Sequence, residues 1–316
     1  MTPFHFFGGA FLGWSIGGMD FAALFGTAVS SKMVKYWHGV ALACVFCFAG
    51  CMLQGQKGIA TIGSLADMSL STALVSSVAA ATAITILNLL KLPIPTSQAV
   101  VGSIAGIALA TSSFRAESFA AVAGCWVAAP IASLVAAIPL YYLAGFILGR
   151  TRLDIFQRDA FFRIALILAG SYAAYAMGAN VVANVGGVFV RAGAMTPTQA
   201  CAFGGAFIML GMITFSARVV ETVGHGIIKM DALSALISVL AEALTAHFFA
   251  HVGVPVSMTQ TLIGAIVGIG LVRGANAIRA GMLRNILAGW LVVPVFSCLL
   301  SFSFLHAAKA LFPGWA

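Results

Sequence analysis

Apolar positions in this chain come in long blocks separated by short polar joints. Ten blocks have about the length a helix needs to cross a bilayer: 4–30, 37–54, 70–90, 95–113, 118–149, 161–190, 198–217, 232–252, 257–272 and 282–311. The longest have room for a break or a second crossing, so the pattern predicts ten to twelve transmembrane helices. No block resembles an extramembrane domain. The longest polar stretch, RTRLDIFQRDAFFR at 150–163, falls near the midpoint. It divides the chain into a first membrane unit over 1–149, a central cytoplasmic loop over 150–163 and a second membrane unit over 164–316.

Composition turns this pattern into an exclusion. Of 316 residues, 61% are hydrophobic and 8% charged, with a mean hydropathy of +1.07. A soluble domain is about one-quarter charged, so a soluble enzyme, a nucleic-acid binder and a disordered protein are all excluded. The net charge of +8 reports orientation instead. With the first residue outside, Lys32, Lys35, Lys91, Arg150, Arg152, Arg158, Arg163, Arg218, Lys229, Arg273, Arg279 and Arg284 fall on the cytoplasmic side. Lys57, Arg115, Arg191 and Lys309 fall outside. The expectation is a multi-pass protein of the cytoplasmic membrane with both termini outside. The opening MTPFHFFGGAFLGW lacks a basic region and reads as a membrane segment rather than a signal peptide. The six cysteines lie within apolar blocks and read as small packing residues.

The two halves repeat each other. GGMDFAALFGTAVSS at 17–31 aligns with GANVVANVGGVFVRA at 178–192, an offset of 161, and Thr61-Ile62-Gly63 aligns with Thr222-Val223-Gly224 at the same offset. PIPTSQAVVGSIAGIAL at 93–109 aligns with PVSMTQTLIGAIVGIGL at 255–271, an offset of 162. Three matches in register indicate a duplication. An odd number of crossings per half would turn the second copy upside down, the plan of many secondary transporters.

The later motif carries anion chemistry. In each copy a proline, which stops one helix and suits the first turn of the next, precedes hydroxyl residues, a glutamine and a glycine-rich helix. Thr96, Ser97 and Gln98, and Ser257, Thr259 and Gln260, then sit at helix starts near membrane depth. Free backbone N–H groups, the positive dipole end and hydroxyl donors together suit an oxyanion. One copy alone fits an ordinary capped helix; two in register favour a shared site. The Gly102/Gly106 and Gly264/Gly268 pairs that follow read as close helix packing. Two carboxylates, Asp20 and Glu242, lie well inside apolar blocks, where charge is costly and usually faces a cavity or a partner. Asp20 sits in the first repeated motif, opposite a second copy that holds Asn180 and Asn184. Glu242 is a second candidate for the coupling ion, or pairs with a polar group such as His247.

At these residues the chain resembles the inorganic phosphate transporter family, PiT. That family has two GANDxAN-like motifs, each followed by a P-[VI]-S-T-T-H-like motif. Asp20, Gly17, Gly26 and Thr27 fit the first, and Gly178, Asn180, Ala183 and Asn184 fit its second copy. Pro93, Thr96, Pro255, Ser257 and Thr259 fit the later motif. Met19, Ala23 and Val181 replace two amides and one carboxylate. Pro95 and Met258 replace hydroxyl residues, and Gln98 and Gln260 stand where histidine is common. The resemblance implies transport of phosphate, or sulfate in some members, coupled to sodium or protons.

Together these readings predict an all-α membrane protein of two inverted repeats with broken or re-entrant helices near 91–97 and 253–259. Thr96, Ser97, Gln98, Ser257, Thr259 and Gln260 are expected to bind an inorganic oxyanion, phosphate first and sulfate second. Asp20, Thr27, Asn180, Asn184 and Glu242 are expected to serve the coupling ion. The lost sodium ligands point to a proton ahead of sodium. No catalytic residue, resident metal or organic cofactor is expected. A homodimer is expected from small-residue helix faces and the habit of the family. A passive anion channel and a membrane redox subunit are the competing classes, although the latter lacks a convincing histidine pair.

Overall fold

A computed structural model describes residues 3–89, 94–217, 230–274 and 280–312. Among them every regular element is helical. A 3-10 turn at Pro3–Phe6 leads into α1 (Phe7–Ser30), α2 (Tyr36–Gln54), the short α3 (Gln56–Gly63), α4 (Leu70–Leu89), α5 (Thr96–Ala110) and α6 (Ala116–Arg150). The second half holds α7 (Ile155–Arg191), α8 (Pro197–Thr214), α9 (Ala232–Val252), α10 (Met258–Arg273) and α11 (Ala280–Leu311). The chain is a multi-pass membrane protein. Eight helices have the length and apolar composition of a span: α1, α2, α4, α6, α7, α8, α9 and α11. Helices α5 and α10, with 15 and 16 residues, are only about 23 Å long at 1.5 Å per residue, short of the roughly 30 Å hydrocarbon core. The ten helices coincide with the ten apolar blocks, and the three longest blocks each form one helix.

Local chemistry explains where helices begin and end. Asp154 Oδ1 accepts from the Gln157 N–H at 2.8 Å, and the Gln157 side chain accepts from the Asp154 N–H at 3.2 Å. This capping box starts α7 and corrects the expected central loop. Arg150 ends α6, residues 151–154 form the link, and 155–163 are already the first turns of α7. A polar, exposed helix start looks like a loop to a hydropathy pattern. A second capping box, Thr196 with Gln199, starts α8 with Pro197 in the first turn. Helix α9 stops at Gly253, whose φ of 88° favours glycine.

The ends of the helices form two faces. Arg115, Arg191, Gln56 and Pro197 share one, where Phe6 also packs on Phe189 and Phe203. Met33, Arg158, Asp159 and Asp231 share the other. Lys91, Pro93, Arg218, the Thr222-Val223-Gly224 match, Lys229 and Arg279 lie outside the described residues.

Packing carries the repeat into three dimensions. Helix α1 lies on α8 as α7 lies on α2; α5 lies on α11 as α10 lies on α6; α4 joins α1 as α9 joins α7. Counting each short-helix hairpin, α4–α5 or α9–α10, as two crossings or as none leaves an odd number per half. The second copy is therefore inverted. Helices α1 and α7 cross at the centre and, among the described residues, contribute the most buried side chains. Helices α6 and α11 form the rim, where Val127, Ile131 and Val135 make an exposed apolar stripe matched by Leu291, Val295 and Leu299 at the same spacing.

Close backbone contacts fix the crossings. A Cβ on Gly17 would collide with the Ile208 carbonyl, and one on Gly178 with the Cys47 carbonyl. Gly50 meets the Tyr175 carbonyl and Gly211 that of Trp14 in the same way. All four contacts are related by the offset of 161. Gly102 and Gly264 likewise abut the carbonyls of Pro294 and Pro130, which is the close packing that the GxxxG spacing predicts. Extra atoms at such contacts cost about 1–3 kcal/mol or more. Gly178→Val is therefore expected to lower the melting temperature in detergent, whereas Gly124→Ala, with open space at its Cβ, should leave it unchanged.

Candidate functional site

The two short helices start against each other. Pro95 precedes α5 in an extended conformation, and Ser257 caps α10, its Oγ accepting from the Gln260 N–H at 3.4 Å. The first-turn N–H groups of Thr96, Ser97, Met258 and Thr259 have no acceptor within their helices. Ser97 Oγ donates to the Val256 carbonyl at 3.0 Å, tying the start of α5 to the segment that leads into α10.

Helix α7 holds this junction with two asparagines one turn apart. Asn184 Nδ2 donates to Ser97 Oγ at 2.9 Å. Asn180 Nδ2 donates to the Ala246 carbonyl at 3.1 Å, and its Oδ1 accepts from the Val256 N–H at 3.0 Å. Non-helical backbone at membrane depth needs partners within the protein; the Asn180 oxygen supplies one for the Val256 N–H, and its nitrogen ties the same side chain to α9. Helix α3 secures the same hairpin from the other side: Thr61 Oγ1 donates to the Gly253 carbonyl at 2.6 Å and Lys57 Nζ to that of His251 at 3.2 Å.

Asp20 meets this junction. Thr96 Oγ1 donates to Asp20 Oδ2 at 3.2 Å. Asp20 Oδ1, both oxygens of Glu242, Asn184 Oδ1, Gln98 Oε1 and the Gln260 amide are buried without hydrogen-bond partners. Glu242 lies on α9, which packs against α1, the helix of Asp20. Among the described residues, Asp20 and Glu242 are the only buried charged side chains, and no lysine or arginine joins them.

The structure thus draws together Asp20, Thr96, Ser97, Asn180 and Asn184, with the cap residue Ser257 beside them. Thr259, in the first turn of α10, is half-buried. Thr27 is not part of this group. It lies seven residues beyond Asp20, about 10 Å further along α1, and its buried hydroxyl has no partner. Glu242 does not pair with His247, which instead bonds Tyr172 at 2.8 Å and Gln54 at 2.7 Å; a five-residue separation turns the two side chains apart on α9. Among the described residues no group of three or more His, Cys, Asp or Glu could hold a metal ion. Sequence reasoning missed the clamp formed by Thr61 and Asn180 on the hairpin backbone. Its one legible signal was that Thr61 belongs to a repeated tripeptide.

Comparison with known sequences settles the lineage. The sequence model of the phosphate transporter family matches twice, over residues 16–159 and 149–301. The chain belongs to that family. Among its relatives, the sulfate permease CysP of Bacillus subtilis is 26% identical over 92% of this chain and 84% of that protein. A protein of Methanocaldococcus jannaschii named as a phosphate permease is 27% identical over 91% of each. The fold matches a solved structure titled the sodium-dependent phosphate transporter, with a TM-score of 0.86 and 21% identity over 98% of this chain and 99% of that one. The architecture is therefore that of a phosphate transporter family member along its whole length.

The asparagine clamp gives a direct prediction. Asn180→Leu strands the Val256 N–H, which costs about 1–3 kcal/mol when left unmade, while the Ala246 carbonyl keeps its place in the α9 ladder. Asn184→Ala leaves Ser97 its bond to Val256. The melting temperature in detergent should fall clearly for Asn180→Leu and less for Asn184→Ala.

Proposed function

We propose that this protein is a secondary transporter that carries an inorganic oxyanion, phosphate first, bound between the starts of α5 and α10 and coupled to protons through Asp20 and Glu242. One observation carries the reading: the only buried charges among the described residues are two carboxylates, on the packed helices α1 and α9, with no buried lysine or arginine to pair them. An unpaired buried charge costs several kcal/mol. An oxyanion arriving beside two ionised carboxylates would add like charge in a medium that screens poorly. Binding therefore requires positive charge to enter with it, and this requirement is symport. Protons satisfy it directly by neutralising Asp20 and Glu242.

The choice of phosphate follows from acceptors. Hydrogen phosphate carries an O–H that can donate, and sulfate does not. The carboxyl groups of Asp20 and Glu242 have unpartnered oxygens, and each keeps an accepting oxygen even when protonated, which suits a ligand that donates, while the first-turn N–H groups suit its other oxygens. Sulfate remains the second substrate, as the name of the Bacillus subtilis relative suggests. The face bearing residues 150–158 is proposed to be cytoplasmic by its excess of arginine.

Tracer uptake into proteoliposomes tests the reading. Labelled phosphate should accumulate under an imposed pH gradient without sodium, and unlabelled phosphate on the far side should accelerate exchange, as it would not in a channel. Asp20→Asn and Glu242→Gln should each reduce concentrative uptake by more than about tenfold, the loss expected when a buried charged partner is removed. Accumulation only with sodium would replace the proton. Preference for sulfate would replace phosphate. Accumulation of neither anion would overturn the proposal.

A further inference from the structure

A second concentration of anion-seeking groups lies at the mouth of the protein, away from the central junction. Asp67, in the segment between α3 and α4, offers one oxygen to two arginines. Oδ1 accepts from Arg115 Nη2 at 2.9 Å and, in a shorter bond, from Arg191 Nη2. Arg115 also donates through Nη1 to the Ser64 carbonyl at 3.3 Å. The cluster thus carries one more positive charge than negative. The Arg191 contact, backed by Arg115, holds the Asp67 carboxyl below the usual carboxylate range, so the cluster keeps this charge at neutral pH. All three side chains are open to water, with 41–61% of each exposed.

Beside them is an open pocket of about 360 Å³, lined by Arg115, Arg191, Gln56, Ile59, Ala60 and Gly63 but not by Asp67. The pocket-lining residues of α3 recur at i, i+3, i+4 and i+7, which is one face of a helix. Other positions of α3 reach the α9–α10 hairpin. Lys57 and Thr61 hold the carbonyls of His251 and Gly253, and a Cβ on Gly58 would lie 3.9 Å from the Asn180 carbonyl and from Pro255. A single short helix therefore separates this pocket from the central junction. Each guanidinium has five N–H donors, and these bonds leave both with donors to spare.

We propose that this pocket is an entry site for the oxyanion: a tetrahedral anion bridges Arg115 and Arg191 at the mouth, in competition with Asp67, before it passes α3 to the central junction. Asp67 is the internal anion that keeps the two arginines together when the site is empty. The shared oxygen, the excess positive charge and the spare guanidinium donors make this a site for a small oxyanion.

The proposal rests on the transport reading above, and initial rates of phosphate uptake into proteoliposomes test it. Removing the competitor with Asp67→Asn should lower KM about threefold, and Arg115→Gln or Arg191→Gln should each raise it about threefold, the size of an exposed charge contact. Maximal rates should change little, because the central junction is untouched. Arg191→Lys should restore part of the affinity, and all shifts should shrink at high ionic strength. Melting temperatures in detergent identify any variant that fails to fold. A KM that stays flat across these variants while wild-type uptake is intact overturns the entry site alone, as does a fall in maximal rate with KM unchanged. If the wild type transports neither phosphate nor sulfate, the transport reading fails, and binding of inorganic phosphate to the detergent-solubilised protein still decides the pocket. Binding lost in the Arg115→Gln/Arg191→Gln double variant upholds the site, and equal binding overturns it.

Discussion

Everything in this fold answers to one demand: a backbone that stops being helical at membrane depth must find its hydrogen bonds within the protein. The demand is met where Ser97 reaches the Val256 carbonyl and Asn180 takes up the Val256 N–H. For those bonds to form, α7 must cross the centre with its asparagines aimed at the hairpin. That position is set in turn by the bare contact of Gly178 with α2. A chain of necessities thus runs from glycine spacing to helix crossing, from helix crossing to asparagine placement, and from there to two helix starts that face one another with N–H groups to spare.

The same junction is electrostatically incomplete. Its donors suit an anion, yet its only buried charges among the described residues are negative. These two properties do not conflict in a carrier. A site that repels its substrate unless a cation comes with it discriminates between coupled and uncoupled occupancy before anything moves. The polar atoms left without partners at Asp20, Glu242, Gln98, Asn184 and Gln260 are unusual for a protein interior, where such groups are nearly always bonded. In the proposed reading, a ligand and its companion ion supply the missing bonds.

Much of this was legible in the sequence. Hydropathy gave the ten helices because bilayer thickness imposes a length on any span. The repeat gave the inversion because parity follows from counting crossings. The motif residues Thr96, Ser97 and Asp20 came together as expected because proline and hydroxyl residues mark helix starts locally. The losses were those that depend on distant packing. Residues 155–163 read as loop because an exposed helix start is polar. Helix α3 was invisible, since eight residues are too few for a hydropathy signal. The clamping role of Asn180 could not be read from its own copy of the motif, because its partners lie on α9 and ahead of α10. Thr27 shares a motif with Asp20 but lies two turns further along α1, a spacing that the motif alone does not convert into distance from the junction. Glu242 and His247 are close in sequence and yet face different neighbours, a distinction that depends on how α9 is turned against α1 and α7.

The exchange of partners between the repeats has a consequence for what counts as the unit of this protein. Helices α1 and α8, α2 and α7, α5 and α11, and α6 and α10 each join one half of the chain to the other. Neither half has a complete interior alone. The molecule is in effect an antiparallel dimer written as one polypeptide, and residues 151–154 act as a tether between its subunits. Such a tether raises the effective concentration at which the halves meet and fixes their one-to-one ratio. The architecture itself is carried by the interface. Drawing the boundary of a functional half at the midpoint of the sequence would cut through four of the closest packing contacts in the structure.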